Sequence, residues 1–205
     1  MCTISAVFFD FDGVLCTDRF YTTLMPDYPQ ALAWIGEHVF GGEKYCDRWM
    51  RGEFTYRQIN SLISNATGIP LERLNELLIT SVRRMKVNAA LIRLAETIKN
   101  KDIKTALVTN NMDIFSEITI PEKHLDKTFP VIVNSCDFKI MKQDENGRLF
   151  DIALHRLGLG SYEGVLLVDD SVTYCDIFRE KGGEVYQYSD QQAFELWTKN
   201  CNQLI

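Results

Sequence analysis

The sequence predicts an α/β fold, a doubly wound parallel sheet with an inserted all-helical segment, and three observations carry that reading. Short continuous apolar runs recur at Ala6–Phe9, Thr105–Val108, Val131–Val133 and Val165–Val168, and more weakly at Glu184–Tyr188. Runs of that length suit strands buried on both faces. Helical patterns lie between them, and strands alternating with helices build a parallel sheet covered on both sides. The stretch from about Cys16 to Val87 does not alternate and reads as helices without a strand.

In chain order, the run Ala6-Val7-Phe8-Phe9 stops abruptly at Asp10-Phe11-Asp12-Gly13. The helical stretch then divides into Gln30–His38, Lys44–Arg51, Tyr56–Ala66 and Leu71–Arg84. In the third of these, Ile59, Leu62, Ile63 and Ala66 hold helical spacing, and Thr55 with Gln58 forms a capping box. Gly68 and Pro70 separate it from the fourth. Leu91, Leu94, Ala95 and Ile98 follow i, i+3, i+4, i+7 spacing. Leu149–Leu157 and Val172–Lys181 have helical length, with Gly158 and Gly182 as stops. Ser189 with Gln192 predicts a capping-box start for the last helix. The domains expected are a core of residues 1–15 and 88–205 and a helical domain of residues 16–87.

Composition narrows the function. At 205 residues with 46% hydrophobic and 24% charged content, the chain is an ordinary globular protein. Twenty-eight acids against 22 Lys+Arg give a net charge of −6, the wrong sign for a nucleic-acid partner. No run approaches the roughly 18 apolar residues of a membrane span, and Ala6–Phe9 is too short for a signal peptide. Six scattered cysteines (Cys2, Cys16, Cys46, Cys136, Cys175, Cys201) include no CxxC pair, so free thiols in a cytoplasmic protein are expected. Neither repeats nor biased segments occur, and oligomeric state is not legible.

Open parallel sheets bind ligands at the carboxyl ends of their strands. Asp10 and Asp12 follow the first run, Thr109-Asn110-Asn111 the second, Lys139 and Lys142 the third, and Asp169-Asp170-Ser171 the fourth. Four acids on one rim repel one another unless a cation relieves them. An oxygen-rich set without nearby Cys or His suits Mg²⁺ over Zn²⁺, and Mg²⁺ typically bridges carboxylates and a substrate phosphate. A hydroxyl and helix-start N–H groups hold phosphoryl oxygens, and a lysine adds a compact charge. The group reads as a phosphoryl-transfer site. Singly, Asp170-Ser171 would be a helix cap and Thr109-Asn110 a turn. Two acids ending a buried strand are harder to explain without a partner. His38, His124 and His155 lack ligand spacing, and Cys16 near the first acids reads as packing.

These residues resemble a known family. Asp10-Phe11-Asp12-Gly13-Val14-Leu15 is similar to the first motif of the haloacid dehalogenase superfamily, Thr109-Asn110-Asn111 to its second, Lys142 before Leu149-Phe150 to its third, and Val168-Asp169-Asp170-Ser171 to its fourth. The resemblance spans residues 6 to about 188 with the motifs in order, and the insertion resembles the helical cap of the first subclass. Trp49, Gly52 and Glu53 look like a Trp–Gly turn of relatives acting on sugar phosphates. By resemblance, Asp10 is the nucleophile and Asp12 the acid and base. Mg²⁺ is held by Asp10, the Asp12 carbonyl and Asp170, with Asp169 a further or outer ligand. Thr109 and the Asn110 amide orient the phosphoryl group, and Lys142 neutralises Asp10. The stretch Gln143–Arg148 before Leu149-Phe150 is longer than the family's third motif usually allows, so Lys139 stays open as an alternative to Lys142. Arg48, Trp49, Arg51 and Tyr56 are candidates for a substrate-facing surface, or for packing.

The expected function is a Mg²⁺-dependent phosphatase acting on a small phosphorylated metabolite, sugar phosphates included. Asp12 favours it over a 2-haloacid dehalogenase, whose halide leaving group needs no proton. A phosphomutase of the β-phosphoglucomutase type shares the same core motifs. A catalytically silent binding module is the rival from another class.

Overall fold

A computed structural model describes residues 4–42 and 44–200; Cys2 and Cys201 lie outside the described residues. Strand β1 (Ala6–Phe9) is buried along its whole length. Around it β2 (Lys104–Thr109), β3 (Val131–Asn134), β4 (Val165–Asp169) and β5 (Glu184–Gln187) form one five-stranded sheet, ordered β3-β2-β1-β4-β5. All pairs are parallel, and Phe9 stands level with both Leu107 and Val168. Successive side chains of a strand point to opposite faces. Val7 and Phe9 accordingly join one core with Leu107 and Val168, while Ala6 and Phe8 join the other with Val108 and Leu167. Two covered faces explain why each strand reads as an unbroken apolar run.

Helices α1 (Pro29–Ile35), α2 (Cys46–Met50), α3 (Tyr56–Thr67) and α4 (Leu71–Arg84) fill the stretch between β1 and β2, followed by α5 (Ala89–Lys99). The third and fourth agree with the predicted spans. The first ends three residues early, because a wide π turn takes over at Gly36–Phe40, and the second is a short turn of Cys46–Met50 rather than Lys44–Arg51. At α3 the Thr55–Gln58 capping box forms: Gln58 N–H donates to Thr55 Oγ1 at 3.3 Å and Thr55 N–H to Gln58 Oε1 at 2.8 Å. Short helices α6 (Ile120–Glu122), α7 (Leu125–Thr128) and α8 (Ser135–Phe138) connect the next strands. Helices α9 (Arg148–Arg156) and α10 (Val172–Glu180) cover the second face through Phe150 and Phe178, whose rings meet edge-on at 5.1 Å.

One predicted start is corrected. Helix α11 (Gln191–Asn200) is capped by Asp190, whose Oδ1 accepts from Ala193 N–H at 2.8 Å. The Ser189–Gln192 box does not form. Both residues suit a cap, and only the path of the chain after β5 chooses between them.

The helical insert is tied to the sheet at a few polar points. Trp49 is fully buried and its Nε1–H donates to Asp113 Oδ1 at 2.6 Å, while Tyr56 N–H donates to Asp113 Oδ2 at 2.9 Å. Ser135 Oγ donates to the Met50 carbonyl at 2.7 Å. Gly52 allows the close approach between them: its φ is +68°, and a Cβ there would lie 2.6 Å from the Cys136 carbonyl. Arg51 grips Asp144 with both terminal nitrogens, which joins the insert to the loop carrying Lys142.

That pair sets an expectation for acid stability. The Arg51 hydrogen bonds hold the Asp144 carboxyl below the usual carboxylate range. A group depressed on folding stabilises above its unfolded value and loses that contribution as pH falls. Asp144→Asn should lower Tm at pH 7 by about 2–4 °C for a loss near 1 kcal/mol. In a thermal melt series the gap to the native protein should close below about pH 4.

Candidate active site

Asp10 follows β1, Thr109 ends β2, Asp169 ends β4, and the loop after β3 and α8 brings in Lys142. Parallel strands in matched register deliver these residues to one edge. Lys142 has no exposed surface, and its Nζ lies 2.8 Å from Asp10 Oδ1 and 2.7 Å from Asp169 Oδ2. Lys139 is exposed and left-handed at φ +60°, so Lys142 is the lysine of this site. The longer loop before Leu149 is accommodated by a turn in which Glu145, Asn146 and Gly147 all adopt positive φ.

Several groups hold that lysine in place. Asn110 Oδ1 accepts from Lys142 N–H at 2.8 Å, and Asn110 Nδ2 donates to the Tyr174 hydroxyl at 2.9 Å. The Tyr174 ring lies 4.9 Å from Lys142 Nζ. The Asn110 side chain thus clamps the lysine loop. Thr109 is fully buried, and its Oγ1 has no hydrogen-bond partner among the described residues. A buried hydroxyl left unpaired costs about 1–3 kcal/mol, which a ligand oxygen at the strand end would recover.

Asp12 is oriented separately. Asn111 Nδ2 donates to Asp12 Oδ2 at 2.9 Å. Asn111 is fully buried, accepts from Met112 N–H at 2.9 Å, and donates its own N–H to Ser135 Oγ at 3.0 Å. Since Ser135 also holds the Met50 carbonyl, the orientation of Asp12 is linked to the insert. In the sequence Asn111 was one letter of a motif; its separate task needed the fold to show it. Arg19 and Met50, from the insert, line a cleft of about 220 Å³ together with Asp10, Asp12, Lys142 and Asp170. The other insert candidates do not line it: Arg48 pairs with Glu53 at 2.6 Å, Arg51 with Asp144, and Trp49 and Tyr56 are buried against Asp113.

Burial dominates the protonation of the acids. It raises Asp10, against the pull of the Lys142 ammonium, and pushes Asp12 up to about 6, against Arg19; a divalent cation at the rim would draw both back toward the carboxylate form. Asp170 is also raised, by burial and by neighbouring Asp169. The Asp10 and Asp169 carboxylates raise Lys142 despite its burial, so the lysine stays charged.

A model of the haloacid dehalogenase-like hydrolase family matches residues 4–177. The chain belongs to this family. Among solved structures, a HAD-like family hydrolase from Porphyromonas gingivalis is similar at TM-score 0.73 and 15% identity, covering 98% of both chains. A HAD family enzyme from Bacteroides thetaiotaomicron, in complex with magnesium and inorganic phosphate, has TM-score 0.70 and 16% identity over 93% of this chain and 98% of that one. The L-2-haloacid dehalogenase from Xanthobacter autotrophicus has TM-score 0.64 and 14% identity over 98% of this chain and 84% of that one. These likenesses are in fold. A comparison with curated proteins finds no match.

The residues of this HAD-like site fit a hard divalent cation. Carboxylate oxygens of Asp10, Asp169 and Asp170 lie within 4.8 Å of one another, an all-oxygen set of the kind magnesium takes. Asp169 has both oxygens engaged, since its Oδ1 accepts from Ser171 N–H at 2.9 Å and its Oδ2 from Lys142. Gly13 leaves room for Asp170, because a Cβ there would come within 2.2 Å of Asp170 Oδ2.

Two measurements check this electrostatic account. Lys142→Met leaves two carboxylates without their buried partner and should cost about 3–5 kcal/mol, a Tm drop of order 10 °C for a chain of this length. Magnesium chloride should raise the Tm of the native protein, EDTA should reverse the rise, and Asp170→Asn should abolish most of it.

Proposed function

We propose that this protein is a magnesium-dependent phosphatase that hydrolyses a small phosphate monoester through an aspartyl-phosphate at Asp10. The observation that carries the reading is the pairing of a lysine-held Asp10 with an Asn111-oriented Asp12 in one cleft. Both donors on Asp10 reach Oδ1, from Lys142 Nζ and from Phe11 N–H at 2.7 Å. Oδ2 is therefore the oxygen that attacks phosphorus. The P–O bond to the alcohol breaks as the Asp10–phosphorus bond forms, and Asp12 delivers its proton to the departing oxygen. In the second half Asp12 takes a proton from water, which attacks phosphorus and frees Asp10.

Asp10, Asp170, the Asp12 carbonyl and, from outside, Asp169 would hold magnesium, which when bound supplies positive charge to the phosphoryl oxygens and offsets the repulsion among the acids. Thr109 Oγ1 and backbone N–H groups at the end of β2 orient the transferred group. The Asn110 side chain serves differently, by fixing the lysine loop. Because the chemistry is mostly positioning and charge stabilisation, the clamps around Lys142 matter as much as the acids. We infer that residues 16–87 act as a cap on the core, supported by Arg19 and Met50 lining the same cleft as Asp10. The four described cysteines (Cys16, Cys46, Cys136, Cys175) are free thiols, in keeping with a reducing cytoplasm.

A dehalogenase shares the fold, but a departing halide needs no proton, so an oriented acid of raised pKa has no task there. Phosphate release from phosphomonoesters should require magnesium. Asp10→Asn should lower kcat by more than about 10³-fold. Asp12→Asn should cost about 10²–10⁴-fold on alkyl phosphates and clearly less on p-nitrophenyl phosphate, whose leaving group needs no proton. Chloride release from a 2-chloro acid, with no phosphate release from any ester, would decide for dehalogenation.

A further inference from the structure

Beside the acidic cleft lies a second, larger cavity of about 500 Å³ that shares Asp12, Arg19, Met50 and Asn110 with it. That volume falls within the range of pockets that enclose a small organic molecule. Away from the shared edge the walls are apolar: Phe20, Leu32, Ile35, Phe40 and Met112 line it, and the Phe20 and Phe40 rings are near parallel at 6.5 Å between centroids. Asp18, the one further charged side chain, already accepts from Lys86 N–H at 2.7 Å. The Arg19 side chain makes no hydrogen bond or ion pair among the described residues, and Arg19 lines both spaces.

We propose that this cavity receives the alcohol portion of the substrate, and that the substrate is a phosphate ester of a mainly apolar alcohol, an alkyl chain or aromatic ring, in place of a sugar. The proposal rests on the phosphatase reading above. Continuity decides the direction: a phosphoryl group at Asp10 Oδ2 lies in the cleft that Asp12 also lines, and Asp12 borders the cavity. Polarity decides the class. A hexose buried there brings several hydroxyls against Phe20, Leu32, Ile35, Phe40 and Met112, which offer them no side-chain partners, and each unpaired hydroxyl is costly. An alkyl or aryl group meets apolar side chains over most of the wall away from the shared edge and gains with every carbon it buries. Trp49, in the turn that resembles those of sugar-phosphate relatives, is buried with its N–H committed to Asp113 and does not line the space.

The test compares ethyl phosphate, hexyl phosphate and glucose 6-phosphate on the full chain with magnesium, alongside calorimetric binding of methylphosphonate and hexylphosphonate. Hexyl phosphate should exceed ethyl phosphate in kcat/KM by about tenfold or more, since binding energy gained by the bound group raises that ratio, and should also exceed glucose 6-phosphate. Hexylphosphonate should bind about tenfold tighter than methylphosphonate, with a more negative heat-capacity change. Leu32→Asn should collapse the hexyl-to-ethyl ratio, which serves as its own control for folding. Phosphate release with glucose 6-phosphate preferred, or with no chain-length dependence, overturns this proposal and leaves the phosphatase standing. Silence on every ester, p-nitrophenyl phosphate included, together with tighter hexylphosphonate binding, overturns the phosphatase and keeps the apolar pocket. Equal binding of the two phosphonates overturns the pocket.

Discussion

The site is organised around one ammonium group that never meets water. Lys142 is completely buried and lies within hydrogen-bond distance of Asp10 at the end of β1 and Asp169 at the end of β4. Removing a lysine from water is expensive, and so is removing each acid; together they are tolerable only while all three stay in contact. This condition fixes how far β1 and β4 reach, which holds because Phe9 and Val168 are register partners. It also fixes the loop after α8, whose lysine must reach both acids at once. An extra carboxylate remains after one ammonium has been shared between two acids, and Asp170 adds another. The surplus negative charge at the rim is what makes a divalent cation a natural occupant.

Around this centre the remaining polar contacts control angles more than stability. Asn110, just after β2, and Tyr174, in α10, hold the lysine loop. Arg51 reaches Asp144 at the far end of that loop, so the insert braces the element that carries the lysine. A second line of contacts runs from Asp12 through Asn111 and Ser135 to the Met50 carbonyl. Both lines begin at a catalytic candidate and end within α2 or the turn after it. The insert therefore joins a wall of the reaction space to the groups that set the orientation of acid and lysine. The same insert contributes Leu32, Ile35 and Phe40 to the apolar cavity, so the wall of that cavity and the contacts that orient Asp12 and the lysine loop belong to one structural unit.

Much of this was legible in the chain itself. Unbroken apolar runs ending in Asp10, Thr109 and Asp169 announce strands covered on both faces with a polar rim, because a strand with a wet face would alternate. The Thr55–Gln58 box and the glycines at 158 and 182 mark helix ends through local backbone chemistry that needs no distant partner. Local signals failed where two neighbours were equally suitable. Ser189 and Asp190 both cap well, and only the path of the chain after β5 selects Asp190. Arg51 and Trp49 stay open between substrate contact and packing, since nothing in their spacing reveals Asp144 or Asp113 across the fold.

The sequence by itself determined the alternation of strands and helices, the place of the insertion, and the acids and amides that end each strand, since these follow from periodicity, capping and the cost of burying charge. Tertiary structure alone decided which lysine enters the core, that Asn111 aims Asp12, and that the space beyond Asp12 is lined by Phe20, Leu32 and Phe40. Those outcomes depend on distances between residues tens of positions apart, and such distances are set by packing the two cores, not by the character of any residue read in isolation.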